Sequence, residues 1–146
     1  MERTLASWGS DFLDGPKGSQ KQLAPGAQEQ RAQLLFLLAW FHAVVQERRT
    51  YLPQGWSKAY EFSIGDLRAG AMVLDAAASN PAAASSDGGL DFKLIHGLME
   101  DAIYGGRIDK PSDLRVLRTY VVQLYSPKML QGRLDLTRGV KPPPSF

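Results

Sequence analysis

Between Ala27 and Arg49 the chain has neither glycine nor proline, and the residues are mostly strong helix formers. The middle of this stretch, Leu34 to Val45, is apolar on every side: Leu34, Leu35, Phe36, Leu37, Leu38, Ala39, Trp40, Phe41, Ala43, Val44 and Val45. A helix of that kind is enclosed by protein all round. A chain of 146 residues scarcely wraps such a helix completely, so part of its surface is expected to belong to a neighbour. At its end Arg48 and Arg49 suit the negative pole of the helix dipole.

The remaining segments supply the wrapping. Tyr51 to Trp56 reads as a loop and Ala59 to Phe62 as a short extended piece. Ser63, with Asp66 three residues on, has the form of a capping box. Ile64, Leu67, Ala71 and Leu74 then line one face of a second helix. Ala76 to Gly89 is a low-complexity Ala/Ser/Gly insertion, expected to be disordered beyond Asn80-Pro81. A third helix is expected from Leu90 to Tyr104, with Phe92, Ile95, Met99 and Ala102 on one face and Gly105 as a left-handed closing residue. A fourth opens at Asp109 to Ser112, carries Leu114, Leu117, Val121 and Leu124, and ends at Ser126-Pro127, with a short turn near Met129 to Arg133. No segment of useful length alternates as a strand does. The fold class is therefore all-α, a small helical bundle spanning 27–131, preceded by residues 1–26 and followed by a disordered tail, 132–146, that ends in the proline-rich Lys141 to Phe146. Glu2 to Trp8 has helical potential and Gly15 to Gly26 reads as a linker, so the start looks like the cut end of something longer.

Several classes of chemistry find no support. Without cysteine there is no disulfide framework and no thiolate metal site. A net charge of +2, from 17 basic and 15 acidic residues, lacks the basic excess of a dedicated nucleic-acid binder. The longest apolar run is too short to span a membrane, and no export signal is present, which reads as a soluble intracellular chain. Gly15-Pro16-Lys17-Gly18-Ser19 has the residue types of a phosphate loop in the wrong order. His42 and His96 fall on different predicted helices without a second ligand at helical spacing, so no metal is expected. His42 reads as a hydrogen-bonded core histidine and His96 as a partly exposed one. Glu100 and Asp101, adjacent in sequence, point different ways and do not form an acid/base pair.

Two features stay open on the residues alone. In Gly105-Gly106-Arg107 the arginine either caps carbonyls or pairs with Asp109 or Asp113, or it reaches a phosphate on a neighbouring subunit. Trp56, Tyr60 and Phe62 read as packing; a base-stacking platform would want interleaved cations, and only Lys58 is there.

The order of motifs resembles one family. Phe41-His42-Ala43-Val44-Val45-Gln46-Glu47-Arg48-Arg49 is similar to the helix that opens the lid of the sixth AAA+ module of dynein heavy chains. Pro53-Gln54-Gly55-Trp56, Tyr60-Glu61-Phe62, Asp66-Leu67-Arg68 and Tyr104-Gly105-Gly106-Arg107-Ile108-Asp109 follow at similar spacing, with Asp113 and Arg115 behind them. Glu2 to Trp8 resembles the last helix of the preceding large subdomain, and the likeness extends to about Leu130. Leu38-Ala39-Trp40-Phe41-His42, Arg68-Ala69-Gly70 and Asp113-Leu114-Arg115-Val116-Leu117 are most similar to the second cytoplasmic class of heavy chain, that of intraflagellar transport.

The resemblance implies a structural lid in the ring of an ATP-driven, minus-end-directed microtubule motor of cytoplasm and cilium. ATP and magnesium would belong to other parts of that motor, with no catalytic, cofactor or metal residue in this chain. Partners would be the rest of the ring and, through it, microtubules and intermediate and light chains, with no nucleic acid and no membrane insertion. Its motif residues, expected to serve structure or interface, are Arg48, Arg49, Gly55, Trp56, Tyr60, Phe62, Asp66, Tyr104, Gly105, Gly106, Arg107 and Asp113. The long insertion and the proline-rich end depart from the family pattern, so the chain is expected to be either a truncated fragment of such a heavy chain or a separate product; the alternative function is a standalone helical adaptor or regulator that binds dynein or another partner.

Overall fold

The computed structural model describes residues 25–79 and 90–142. The expected helix Glu2 to Trp8, the linker up to residue 24, residues 80–89 of the insertion and the end at 143–146 lie outside these described residues. Helix α1 spans Pro25–Glu47 and continues into a tight turn, Arg48–Thr50. It starts two residues before the Gly- and Pro-free stretch. Helix α2 (Ile64–Ser79) packs on α1 more extensively than any other element and takes in the first alanines of the insertion. Helix α3 (Phe92–Gly97) runs on as a wide π turn, Leu98–Ile103, and a tight turn, Gly105–Arg107. Helices α4 (Pro111–Leu124) and α5 (Pro127–Leu130) close the bundle. Among the described residues there is no strand, only an isolated bridge between Thr137 and Val140.

The bundle wraps α1 more fully than its length suggests. Leu34, Leu35, Leu37, Leu38, Ala39, Phe41, His42 and Val45 are all buried. Phe36, Trp40, Ala43 and Val44 form the half-buried strip that remains. Leu67, Ala71 and Leu74 of α2 are buried as expected, with Gly70 between them. A Cβ at Gly70 would lie 3.0 Å from Leu38 Cδ1, so the glycine marks where α2 crosses closest to α1. Ile64 departs from the expected face and is 54% exposed, because it is the first residue of α2 and lies outside the crossing.

Three other expectations are corrected. The buried face of α3 runs Ile95, Met99, Tyr104, and Ala102 is exposed. The step from 99 to 104 is five residues, the phase of a π turn and not of an α-helix. Gly105 has no left-handed backbone; it is needed instead where one stretch of backbone passes close over another. The tail expected to be disordered from residue 132 folds back over residues 132–142. Gly132 and Gly139 adopt φ of +67° and +80°, Val140 N–H donates to Thr137 O at 2.8 Å, and Leu136 is buried against the core. The sparse apolar residues Leu134 and Leu136 suffice, because they land on an existing core instead of building one.

If α1 is the axis of the core, Leu38→Ala lowers the unfolding free energy by about 3 kcal/mol, within the range for emptying a closed leucine site. Urea unfolding measures it; a loss below about 1 kcal/mol would show that the crossing with α2 is loosely packed.

Candidate functional site

The motif residues converge where the segment 51–62 is laid over the C-terminal half of α1. That segment has no regular secondary structure, so side chains must hold it. Trp56 is fully buried and its indole N–H donates to Val45 O at 2.9 Å, taking up a carbonyl near the end of α1. Gln46 of α1 donates to Phe62 O at 3.0 Å. Arg48 does not simply cap the helix end. Its guanidinium lies 4.9 Å from the centroid of the Trp56 ring and 5.5 Å from that of Tyr120 on α4, and it donates to the Tyr120 hydroxyl and to Gly55 O. Gly55 is buried directly on the Arg48 backbone; a Cβ there would fall 2.0 Å from Arg48 O, so no other residue fits. Arg49 is exposed and takes no part.

Asp113, in the first turn of α4, is the second anchor of this segment. It is 6% exposed and accepts from the Ser57 amide at 3.1 Å, from the Ser57 hydroxyl at 2.5 Å and from the Tyr60 hydroxyl at 2.9 Å. Burial pushes its carboxyl up, but the Ser57 and Tyr60 donors and the nearby Arg48 charge pull harder, and it sits below the ordinary carboxylate range. The Tyr60 phenol is pushed up to about 12 by burial and by the Asp113 carboxylate it donates to. Lys58 pairs with Asp109 at the exposed rim. Trp56 meets Tyr60 and Phe62 at centroid distances of 5.9 and 6.0 Å, so the three aromatics pack on one another.

A third anchor joins α2 to the turn after α3. Asp66 closes the capping box by accepting from the Ser63 amide at 2.7 Å and hydroxyl at 3.0 Å, while the Ser63 hydroxyl accepts from the Asp66 amide at 3.2 Å. Its other oxygen takes two donors from Arg107, Nε at 3.0 Å and the terminal nitrogen at 2.7 Å. Arg107 thus pairs with Asp66, not with Asp109 or Asp113, because the tight turn Gly105–Arg107 faces α2. Burial raises the Asp66 carboxyl, and Arg107 with Ser63 brings it back below the usual range. Gly105 allows the chain to pass over the end of the wide turn: a Cβ would fall 1.3 Å from Glu100 O. Gly106 is exposed and meets nothing closer than 3.5 Å, so packing within this chain does not demand a glycine there.

Tyr104 completes the arrangement. It is fully buried, its hydroxyl lies 2.9 Å from His42 Nδ1, and its ring meets Phe41 edge-on at 4.8 Å and Phe62 at 5.8 Å. Burial pushes the phenol well above its ordinary range. His42 is the hydrogen-bonded core histidine expected. Burial lowers it to about 4, against a smaller upward pull from the Asp66 carboxylate. His96 is half-buried and its Nε2 lies 2.6 Å from Tyr125 O.

The geometry is that of internal fastenings. The buried carboxylates of Asp66 and Asp113 are ionised and surrounded by donors from this chain, and the buried phenols of Tyr60 and Tyr104 stay protonated, which is a poor starting point for proton transfer near neutral pH. Among the described residues no cluster of His, Asp and Glu gathers as a metal site would. Ser57, Tyr120, Arg118 and the Arg31–Asp75 pair do not stand out in the sequence. Ser57 has a signal, a small hydroxyl residue directly after the loop tryptophan; the others show only once the helices are packed. Arg118 on α4 reaches both Glu100, at 3.2 Å, and Asp101, at 3.6 Å.

The buried His42 makes stability depend on pH. Its folded pKa of about 4 lies below the unfolded value of 6.5, so the unfolded chain binds the proton first as pH falls. The contribution is complete above pH 6.5 and is lost progressively down to about 4, a total of about 3 kcal/mol. Urea midpoints across this window should fall for the natural chain and stay nearly level for His42→Gln, which keeps a hydrogen-bonding group that does not titrate. Equal slopes for the two would assign the pH dependence to other groups.

Comparison of the sequence with known proteins identifies the family. The family described as dynein heavy chain AAA lid domain matches residues 31–145. The chain is 45% identical over 130 residues to cytoplasmic dynein 2 heavy chain 1 of Tripneustes gratilla, 89% of this chain and 3% of that one. It is 47% identical over 127 residues to the protein of the same name in Chlamydomonas reinhardtii, 86% of this chain and 2% of that one. With that of Homo sapiens it shares 44% identity over 132 residues, again 89% of this chain and 3% of the relative. The dynein heavy chain of Drosophila melanogaster, a cytoplasmic dynein, is 37% identical over 114 residues. The chain thus spans only a few per cent of the length of these relatives, and it belongs to the family of dynein heavy chain AAA lid domains.

Proposed function

We propose that this chain acts as the structural lid of the sixth AAA+ module in the ring of a dynein 2 heavy chain. The motor it serves is an ATP-driven, minus-end-directed microtubule motor of retrograde intraflagellar transport, in cytoplasm and cilium. The observation that carries the reading is where the family-motif side chains go. Trp56, Tyr60, Asp66, Tyr104 and Asp113 are all spent on fastening α1, α2, α4 and the segment 51–62 to one another. Such a bundle holds its shape while it is moved, as an element that passes on ring movements must. ATP and magnesium act elsewhere in such a motor, and the lid contributes no reacting group. Microtubules and the intermediate and light chains are reached through the rest of the heavy chain.

A chimera tests this directly. Residues 31–145 of this chain replace the matching segment of a cytoplasmic dynein 2 heavy chain, and microtubule gliding is measured beside a version lacking the segment. The chimera is expected to glide at a speed close to the parent's, and the deletion not to glide. A chimera that assembles but does not move would overturn the lid assignment and favour a separate adaptor. Saturable binding of labelled ATP by this chain alone, at micromolar concentration, would overturn the statement that its role is structural.

A further inference from the structure

The turn Leu98–Ile103 is wider than an α-helix by one residue, and nothing in its own residues asks for that. Leu98-Met99-Glu100-Asp101-Ala102-Ile103 contains neither glycine nor proline and would be at home in an ordinary helix. Single π turns are uncommon and recur at functional sites. We propose that this turn is a register switch, held in its wide form by two bonds that cross from Tyr104 to α1 and from Arg107 to α2.

Three observations meet at this turn. The Tyr104 amide donates to Met99 O, five residues back, at 3.1 Å, where an α-helix would use Glu100 O. The buried positions follow the same five-residue step, placing the Tyr104 hydroxyl on His42 and its ring between Phe41 and Phe62. Gly105 is the residue that lets the wide form exist, since a Cβ there would collide with Glu100 O at 1.3 Å. Glycine is compatible with either register; a residue with a side chain is not.

Reverting to the α register would turn Tyr104 to Arg107 by about 100° and shift them by about 1.5 Å along the axis, the irregular residues Ile108 to Lys110 taking up the change before α4. Tyr104 would leave His42, and Arg107 would leave Asp66. The register of the turn and the contact with α2 are therefore one variable. Drawing α2 away from the tight turn Gly105–Arg107 releases the latch, and the turn narrows. The Arg107 side chain is 53% exposed, so the latch can be reached from outside the bundle. Arg118, which reaches both Glu100 and Asp101 of the wide turn, carries the change to α4. The device belongs to this bundle and stands whether or not the bundle sits in a motor ring.

Scalar coupling across hydrogen bonds, measured by NMR on the isotope-labelled full chain, reads the register directly. In the natural chain the amide at 104 is expected to couple to the carbonyl of Met99. In Arg107→Gln that coupling weakens and one to the carbonyl of Glu100 appears. A folded Arg107→Gln whose amide at 104 still couples only to Met99 would overturn the switch. Unfolding of this variant would do so too, because Arg107 would then be holding the fold and not the register. Gly105→Ala gives an independent reading: it is expected to fold with the amide at 104 coupled to Glu100. Retention of the Met99 coupling, or failure to fold, would show that no second register exists.

Discussion

The structure depends on a carboxylate that is neither on its longest helix nor in its apolar core. The C-terminal half of α1 must be covered, and what covers it is Trp56, Tyr60 and Phe62 on a segment with no backbone ladder of its own. Apolar contact is non-directional, and the bonds made by Trp56, Gln46 and Arg48 tie that segment only to α1 and the tight turn after it. Asp113 joins it to α4 by taking the Ser57 amide, the Ser57 hydroxyl and the Tyr60 hydroxyl at once, from the first turn of that helix. A negative charge at a helix N-terminus is itself favourable there. One ionised group therefore fixes the loop, the aromatic cover and the position of α4 together.

The same design recurs at the other junctions. Asp66 caps α2 and holds Arg107, and the His42–Tyr104 bond ties α1 to the end of the wide turn. Each joins elements far apart in sequence, and each is buried enough for leaving one partner unmatched to cost more than the bond contributes. Fastenings of this kind favour a single arrangement of helices over many loosely packed ones. The wide turn in α3 is the place where the arrangement has an alternative.

Much of this is legible in the sequence because it rests on local rules. The all-helical class, the axis at Ala27 to Arg49, the Ser63–Asp66 capping box and the core histidine follow from composition, spacing and side-chain chemistry. The motif order points to the family without any geometry. What is not legible depends on tertiary contact. An α-helical period for the α3 face places Ala102 inside and leaves Tyr104 unexplained; the π turn that resolves this is imposed from outside its own residues. Gly105 reads as a left-handed cap, since spacing cannot distinguish a positive φ from a close approach of backbone. Arg107 has three carboxylates in prospect once packed, and only the direction of the turn selects Asp66. Residues 132–142 read as part of a disordered, proline-rich tail, and they order by borrowing a core that already exists.

The most direct test of Asp113 as the fixing group is amide hydrogen exchange across residues 56–62 in Asp113→Ala, alongside its urea stability. The segment is expected to lose its protection, and the whole bundle to become less stable by about 2–4 kcal/mol, the cost of stranding several buried donors. Retained protection at 56–62, with stability within about 0.5 kcal/mol of the natural chain, would show that contact and bonding to α1 suffice to hold the cover and that the fold does not depend on Asp113.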